Sequence, residues 1–118
     1  MARRPKVKQI VTRDTLNKML RNPNRKYVET VVGRALVALL KRQTADEQRS
    51  NDTREHNSIG FSGADGRSGT LTAKTYIGRG TLLDWQLERW LKPAKNGYPR
   101  ICKYAKQLNE IALEKEVA

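Results

Sequence analysis

The 118-residue sequence has one cysteine, one histidine and few aromatic side chains, 6% in all. A lone cysteine excludes a disulfide framework within the chain, and one histidine with one cysteine cannot build an ordinary zinc site. No metal or cofactor is expected. No run of 18 apolar residues occurs, which argues against a transmembrane helix. The N-terminus is basic, but no continuous apolar segment follows it, so a secretory leader is not expected and the anticipated location is the cytoplasm. Acidic residues are scarce too: 12 Asp and Glu stand against 24 Lys and Arg, a net charge of +12. The 37% of hydrophobic residues suffices for one modest core, and the length favours one domain.

The basic excess is segregated. Residues 1–26 carry nine Lys or Arg against Asp14 alone, and residues 67–106 carry nine against Asp84 and Glu88. The stretch between them and the last twelve residues are slightly acidic. Two cationic blocks around a near-neutral middle suit a surface that meets a polyanion, DNA or RNA. Anionic membrane fits less well, because the arm MARRPKVK lacks a bulky apolar face.

The apolar pattern is helical. Residues 1–11, basic and containing Pro5, are expected to form a flexible arm ahead of a helical domain over 12–118. Asp14 is placed to cap a short helix over 15–21 that gathers Leu16, Met19 and Leu20 on one face, and Pro23 interrupts it. The pairs 27/28, 31/32, 35/36 and 39/40 then recur every four residues and draw one wide stripe on a long helix. That stripe, over 27–40, also offers a surface for a homodimer. Residues 50–69, with Gly60, Gly63, Gly66 and Gly69, break every periodicity and predict a long internal loop. A helix over 70–77 follows, ended by Gly78 and Gly80. Thr81 or Asp84 opens the next, which Pro93 stops, and Pro99 begins the last. The expected fold is all-α: a single compact domain of four to five helices.

No credible catalytic set emerges, and an enzyme is not expected. GFSGADG invites a phosphate cradle, but neither a Walker motif nor GxGxxG is present, and Phe61 plugging the core with Asp65 as a local cap explains it as well. His56 with Asp52, Glu55 and Asp65 lacks a nucleophile or second imidazole. Cys102, between Ile101 and Tyr104, suits a partly buried position better than a reactive one. Cations interleaved with aromatics carry more. Arg3, Arg4, Lys6 and Lys8 would contact phosphates from the arm. Arg100, Lys103 and Lys106 would do so along the last helix. Lys74, Arg79, Arg89, Lys92 and Lys95 complete the candidate surface. Tyr98, between Gly97 and Pro99, is the ring expected to be most exposed and able to stack on bases. Trp85 and Trp90 are placed so that at least one is core.

The second half carries Gly60, Phe61 and Asp65 in a Gly-Phe loop, where the pattern it resembles has Gly-x-Phe. Gly80, Leu82 and Gln86 follow in a G-x-L-x-x-x-Q step, and Lys103, Tyr104, Gln107 and Leu108 in a KY-x-x-QL helix. In these residues it resembles a small helical module of phage-encoded proteins of mostly unassigned function. The resemblance implies a helical module in the company of nucleic-acid-processing proteins, acting in the cytoplasm of a bacterial host. It hands over no catalytic residue. Two functions are therefore carried forward. One is a basic, non-enzymatic nucleic-acid-binding protein that contacts phosphates largely independently of sequence. The other is a phage inhibitor or anti-defence protein docking on a host protein complex such as a nuclease, polymerase or defence effector.

Overall fold

A computed structural model describes residues 9–50 and 60–117, with side chains over 9–45 and 60–115. Asn22 and Asn24 explain where the first two helices separate. The Asn22 carboxamide oxygen accepts from the Asn24 N–H at 2.8 Å, turning the chain around Pro23, and Asn24 Oδ1 then accepts from the N–H groups of Lys26 and Tyr27. This side-chain cap starts a long helix by satisfying donors that have no partner in the first turn. The helices are α1 (Arg13–Leu20), α2 (Arg25–Ser50), α3 (Gly66–Arg79), α4 (Asp84–Leu91) and α5 (Ala105–Val117), with a 3-10 helix over Arg100–Tyr104 leading into α5.

The fold is all-α, one globule of five α-helices, and the described residues contain no strand. The two chain segments either side of Gly97 form an isolated antiparallel bridge between Pro93 and Pro99. Much of the stripe over 27–40 packs within the chain: Val28, Val32, Ala35, Leu36 and Leu39 are buried, while Val31, Val37, Ala38 and Leu40 are partly buried and Tyr27 is exposed. Helix α2 packs most extensively on α3, and also touches α1, α4 and α5. Gly33 is what lets α3 come so close, since a Cβ there would collide with the Tyr76 ring. Trp90 and Ile101, fully buried, close the core from the other side. Truncating Trp90 to alanine would cost about 3–5 kcal/mol.

Several local expectations are corrected. Thr12, not Asp14, caps α1: its Oγ1 accepts from the Thr15 N–H at 3.1 Å while its own N–H donates to Thr15 Oγ1 at 2.7 Å. The helix accordingly spans 13–20, and Met19 turns to solvent. The helix expected over 70–77 begins at Gly66, inside the stretch expected to be loop, and runs to Arg79. Gly69 is its reason, because the Phe61 ring lies where a Cβ would be. Gly80, at φ 74°, ends α3 in the left-handed conformation as expected, its N–H donating to the Tyr76 carbonyl at 2.8 Å. The last helix does not start as α: after Pro99 the chain winds as a 3-10 helix for five residues.

Candidate nucleic-acid interface

Arg3, Arg4, Lys6 and Lys8 lie outside the described residues, as do Asp52, Glu55 and His56. The N–H groups of Ile10 and Val11, in the stretch expected to be arm, both donate to Asn109 Oδ1, at 2.6 and 2.9 Å. The chain therefore enters the domain against α5, one turn beyond Lys106.

The Gly-Phe loop and the 3-10 helix are joined around one buried carboxylate. Asp65 has no exposure, and it receives three donors from the 3-10 helix. The Tyr104 hydroxyl donates to Oδ2 at 2.6 Å, Lys103 Nζ to Oδ2 at 3.2 Å, and the Arg100 guanidinium to Oδ1 through Nε at 2.8 Å and through its terminal nitrogen. Burial alone would push the carboxyl up. The donors Tyr104, Arg100 and Lys103 outweigh it and hold the group below its usual range. Burial, with the bond to Asp65, in turn pushes the Tyr104 phenol up to about 12. Asp65 precedes α3 without capping it through its side chain, so the expected local cap is a long-range tie instead.

Three N–H groups at the start of the loop are bonded within the domain. The N–H of Gly60 donates to Gln107 Oε1 at 2.7 Å, that of Phe61 to Gln43 Oε1 at 3.0 Å and that of Ser62 to the Tyr104 hydroxyl at 3.0 Å. Gln107 returns a bond from Nε2 to the Gly60 carbonyl at 2.9 Å. Phe61 meets Tyr104 edge-on at 5.8 Å between ring centres and Trp90 at 6.2 Å. Gln86, nearly fully buried, caps α4 by accepting from the Leu83 N–H at 3.0 Å and donates to Thr75 Oγ1 at 3.2 Å. With Leu82 and Leu108 buried, Phe61, Asp65, Gln86, Tyr104 and Gln107 hold loop, α3, α4 and α5 together.

The candidate cations fall into three settings. Arg100 and Lys103 are bound to Asp65 yet keep about a third to a half of their side-chain surface in solvent (36% and 47%). Arg89 is exposed on α4 and Lys92 is exposed just past its end. They meet Arg100 at an open cleft of about 820 Å³ between α4 and the 93–100 segment, whose wall includes Trp85, Pro93 and Ala94. The N–H of Arg100 donates to the Lys92 carbonyl at 2.9 Å, which fixes this convergence through the backbone. Lys95 is exposed on the neighbouring turn. Lys74 and Arg79 on α3, and Lys106 on α5, are exposed but share no contact with that cleft.

The aromatic expectation is corrected. Tyr98 is half-buried, and its hydroxyl donates to Asp14 Oδ1 at 2.6 Å, tying the 93–99 turn to α1. That bond raises the Tyr98 pKa. The open ring is Trp85, 55% exposed, whereas Trp90 is fully buried and donates from Nε1 to Thr72 Oγ1 at 3.4 Å. Positions 85 and 90 differ by about 140° around a helix, so one faces out when the other faces in. Asp84, beside Trp85, pairs with Arg25 at 2.6 Å at the surface.

A second concavity, of about 800 Å³, lies among α2, α3 and α5. Val37, Tyr76, Ile77 and Ile111 supply apolar surface and Arg34, Lys41 and Lys115 supply charge. Arg34 and Lys41 are not among the sequence-derived candidates, because they sit in the near-neutral middle of the chain, and only the α2–α3–α5 packing gives them a shared groove. Arg42 is committed elsewhere, to Glu110 at 3.5 Å and the Gln107 carbonyl at 3.2 Å. Among the described residues, no group of three or more His, Cys, Asp or Glu is placed to hold a metal. Cys102 is buried, which pushes its thiol up and makes it a poor nucleophile. No helix among the described residues is long and apolar enough to cross a membrane. No family model, no curated protein and no solved structure matches the chain.

Proposed function

We propose that this is a small, non-enzymatic, phage-encoded nucleic-acid-binding protein that contacts phosphates largely independently of sequence. The observation that carries this reading is the cleft beside α4. Arg89 from α4, Lys92 from its C-terminal cap and Arg100 from the 3-10 helix meet there, Lys95 lies on the adjoining turn, and Lys103 follows through the shared Asp65. Among the described residues, Glu88 is the one acid that lines that cleft. Cations on a rigid pair of elements neutralise phosphates without reading bases, and neither block contains a base-reading helix-turn-helix. Five or six neutralised phosphates would give a log–log salt slope of about −4.5 to −5.4 on duplex DNA. Titration of labelled DNA and RNA, single- and double-stranded, at several salt concentrations tests this. Absence of binding to any of them at low salt rules it out.

The groove among α2, α3 and α5 favours a second reading, the inhibitor. Its apolar floor suits side chains rather than phosphates, and its basic rim suits an acidic amphipathic helix of a host protein complex. Recovery of a stoichiometric protein partner that survives nuclease treatment and high salt, and is lost on Ile77→Glu, would favour this reading over the first.

A further inference from the structure

Trp85 and Trp90 lie on the same eight-residue helix and have opposite fates. Trp90 is fully buried and its indole N–H is bonded. Trp85 leaves 55% of its surface in water. An isolated exposed apolar side chain is ordinary on a protein surface. The surroundings of Trp85 are not. Arg89 is one turn along the same face of α4 and Lys92 is the residue that ends the helix, so ring and cations follow one another at i, i+4 and i+7. Across the open cleft stand Pro93, Ala94 and Arg100. Arg100 is fixed twice, by its backbone bond to the Lys92 carbonyl and by its guanidinium on Asp65. The far side of the cleft is therefore preorganised.

We propose that this cleft takes one unstacked base of a single-stranded nucleic acid on the Trp85 ring, with the flanking phosphates on Arg89 and Lys92 and on Arg100. The inference rests on the nucleic-acid reading above and adds which form of the polymer is bound. An aromatic face accepts any base, so stacking preserves the sequence independence that the cations imply. A duplex keeps its bases in the stack and offers only its phosphate backbone to this ring.

The experiment titrates the full chain with oligothymidylate, oligouridylate and a random duplex of equal length. It follows both labelled-strand anisotropy and intrinsic tryptophan fluorescence. Trp90 is enclosed, so quenching on binding reports Trp85. The expected result is quenching by single strands, and a loss of single-strand affinity of roughly ten-fold or more in Trp85→Ala against less than about two-fold for duplex. Trp85→Phe, which keeps an aromatic face, should recover part of the loss, and both substitutions sit at an exposed position. Equal losses for single and double strands, or binding with no quenching, would overturn base stacking while leaving phosphate binding intact. Failure of every polymer to bind at low salt would remove the nucleic-acid reading together with this one.

Discussion

The Tyr104 hydroxyl lies 2.6 Å from Asp65 Oδ2, across 39 residues of sequence, and the same oxygen takes Lys103. Four bonds to one buried carboxylate make this the point where the Gly-Phe loop is locked to the 3-10 helix.

Removing that charge should be costly. In Asp65→Asn the carboxamide cannot accept from Tyr104, Arg100 and Lys103 at once, and an amide hydrogen faces their donors. Breaking a buried ion pair at one partner costs about 3–5 kcal/mol. Because Arg100 and Lys103 reach water and can be resolvated, a loss near 3 kcal/mol is expected. Tyr104→Phe loses the bond to the charged Asp65, about 1.5–3 kcal/mol, and also removes the acceptor of the Ser62 N–H. Urea midpoints read at an unchanged slope test both. A midpoint shift under a few tenths of a molar for Asp65→Asn would mean that the carboxylate does not hold the loop.

Asp65 and Tyr104 should also set the limits of pH stability. The Asp65 carboxyl titrates below its ordinary value in the folded chain, so the folded state holds fewer protons than the unfolded one in acid. Its contribution is present above the unfolded pKa of about 4 and is lost as pH falls through the folded value. Tyr104 acts with the opposite sign. Its folded pKa of about 12 exceeds the ordinary phenol value, so its contribution is intact below that ordinary value and lost as pH rises towards 12. Tyr98 shifts the same way through Asp14, but screening at the surface keeps its share small. Thermal midpoints across pH should therefore fall at both ends, with a flatter acid limb in Asp65→Asn and a flatter alkaline limb in Tyr104→Phe. An unchanged acid limb in Asp65→Asn would assign acid unfolding to other carboxylates.

These ties show what was legible in the sequence. The helices were, because Val28, Val32, Leu36 and Leu39 recur at the helical period and Asn24, Gly80 and Pro93 punctuate them. The start of α3 was not: Gly66 and Gly69 read as loop formers, and only the Phe61 ring packed on Gly69 explains why a glycine belongs inside that helix. Tyr98 failed as the open ring for a similar reason, since its partner Asp14 is 84 residues away. The cations of the last helix were legible as a row, but not that Asp65 would be drawn under Arg100 and Lys103 from 35 and 38 residues earlier.

Gly69 offers a direct test of that packing. A Cβ would enter the Phe61 ring, which is itself wedged between Tyr104 and Trp90 and cannot retreat freely. Gly69→Ala gains roughly 1 kcal/mol of helix propensity and should still destabilise the fold, because overpacking a filled core costs about 1–3 kcal/mol. Pairing it with Phe61→Leu, which vacates part of the ring's space, should recover stability relative to Phe61→Leu alone. An additive double mutant would show that glycine and ring do not press on each other.

The salt dependence of binding separates a built site from a diffuse positive field. If phosphates sit at Arg89 and Lys92, alanine at either should weaken every sequence alike. It should also make the log–log salt slope shallower by about 0.7 on single strands or 0.9 on duplex. Lys74→Ala and Arg79→Ala remove the same charge from α3, away from the cleft, and should leave the slope nearly unchanged. Asp65→Asn moves the other way, since it releases Arg100 and Lys103 from their carboxylate, and a steeper slope is expected where the variant remains folded. A field spread over the whole surface would instead respond equally to all four alanine substitutions. The ratio of the α4 effect to the α3 effect therefore decides whether the cations act by position or only by number.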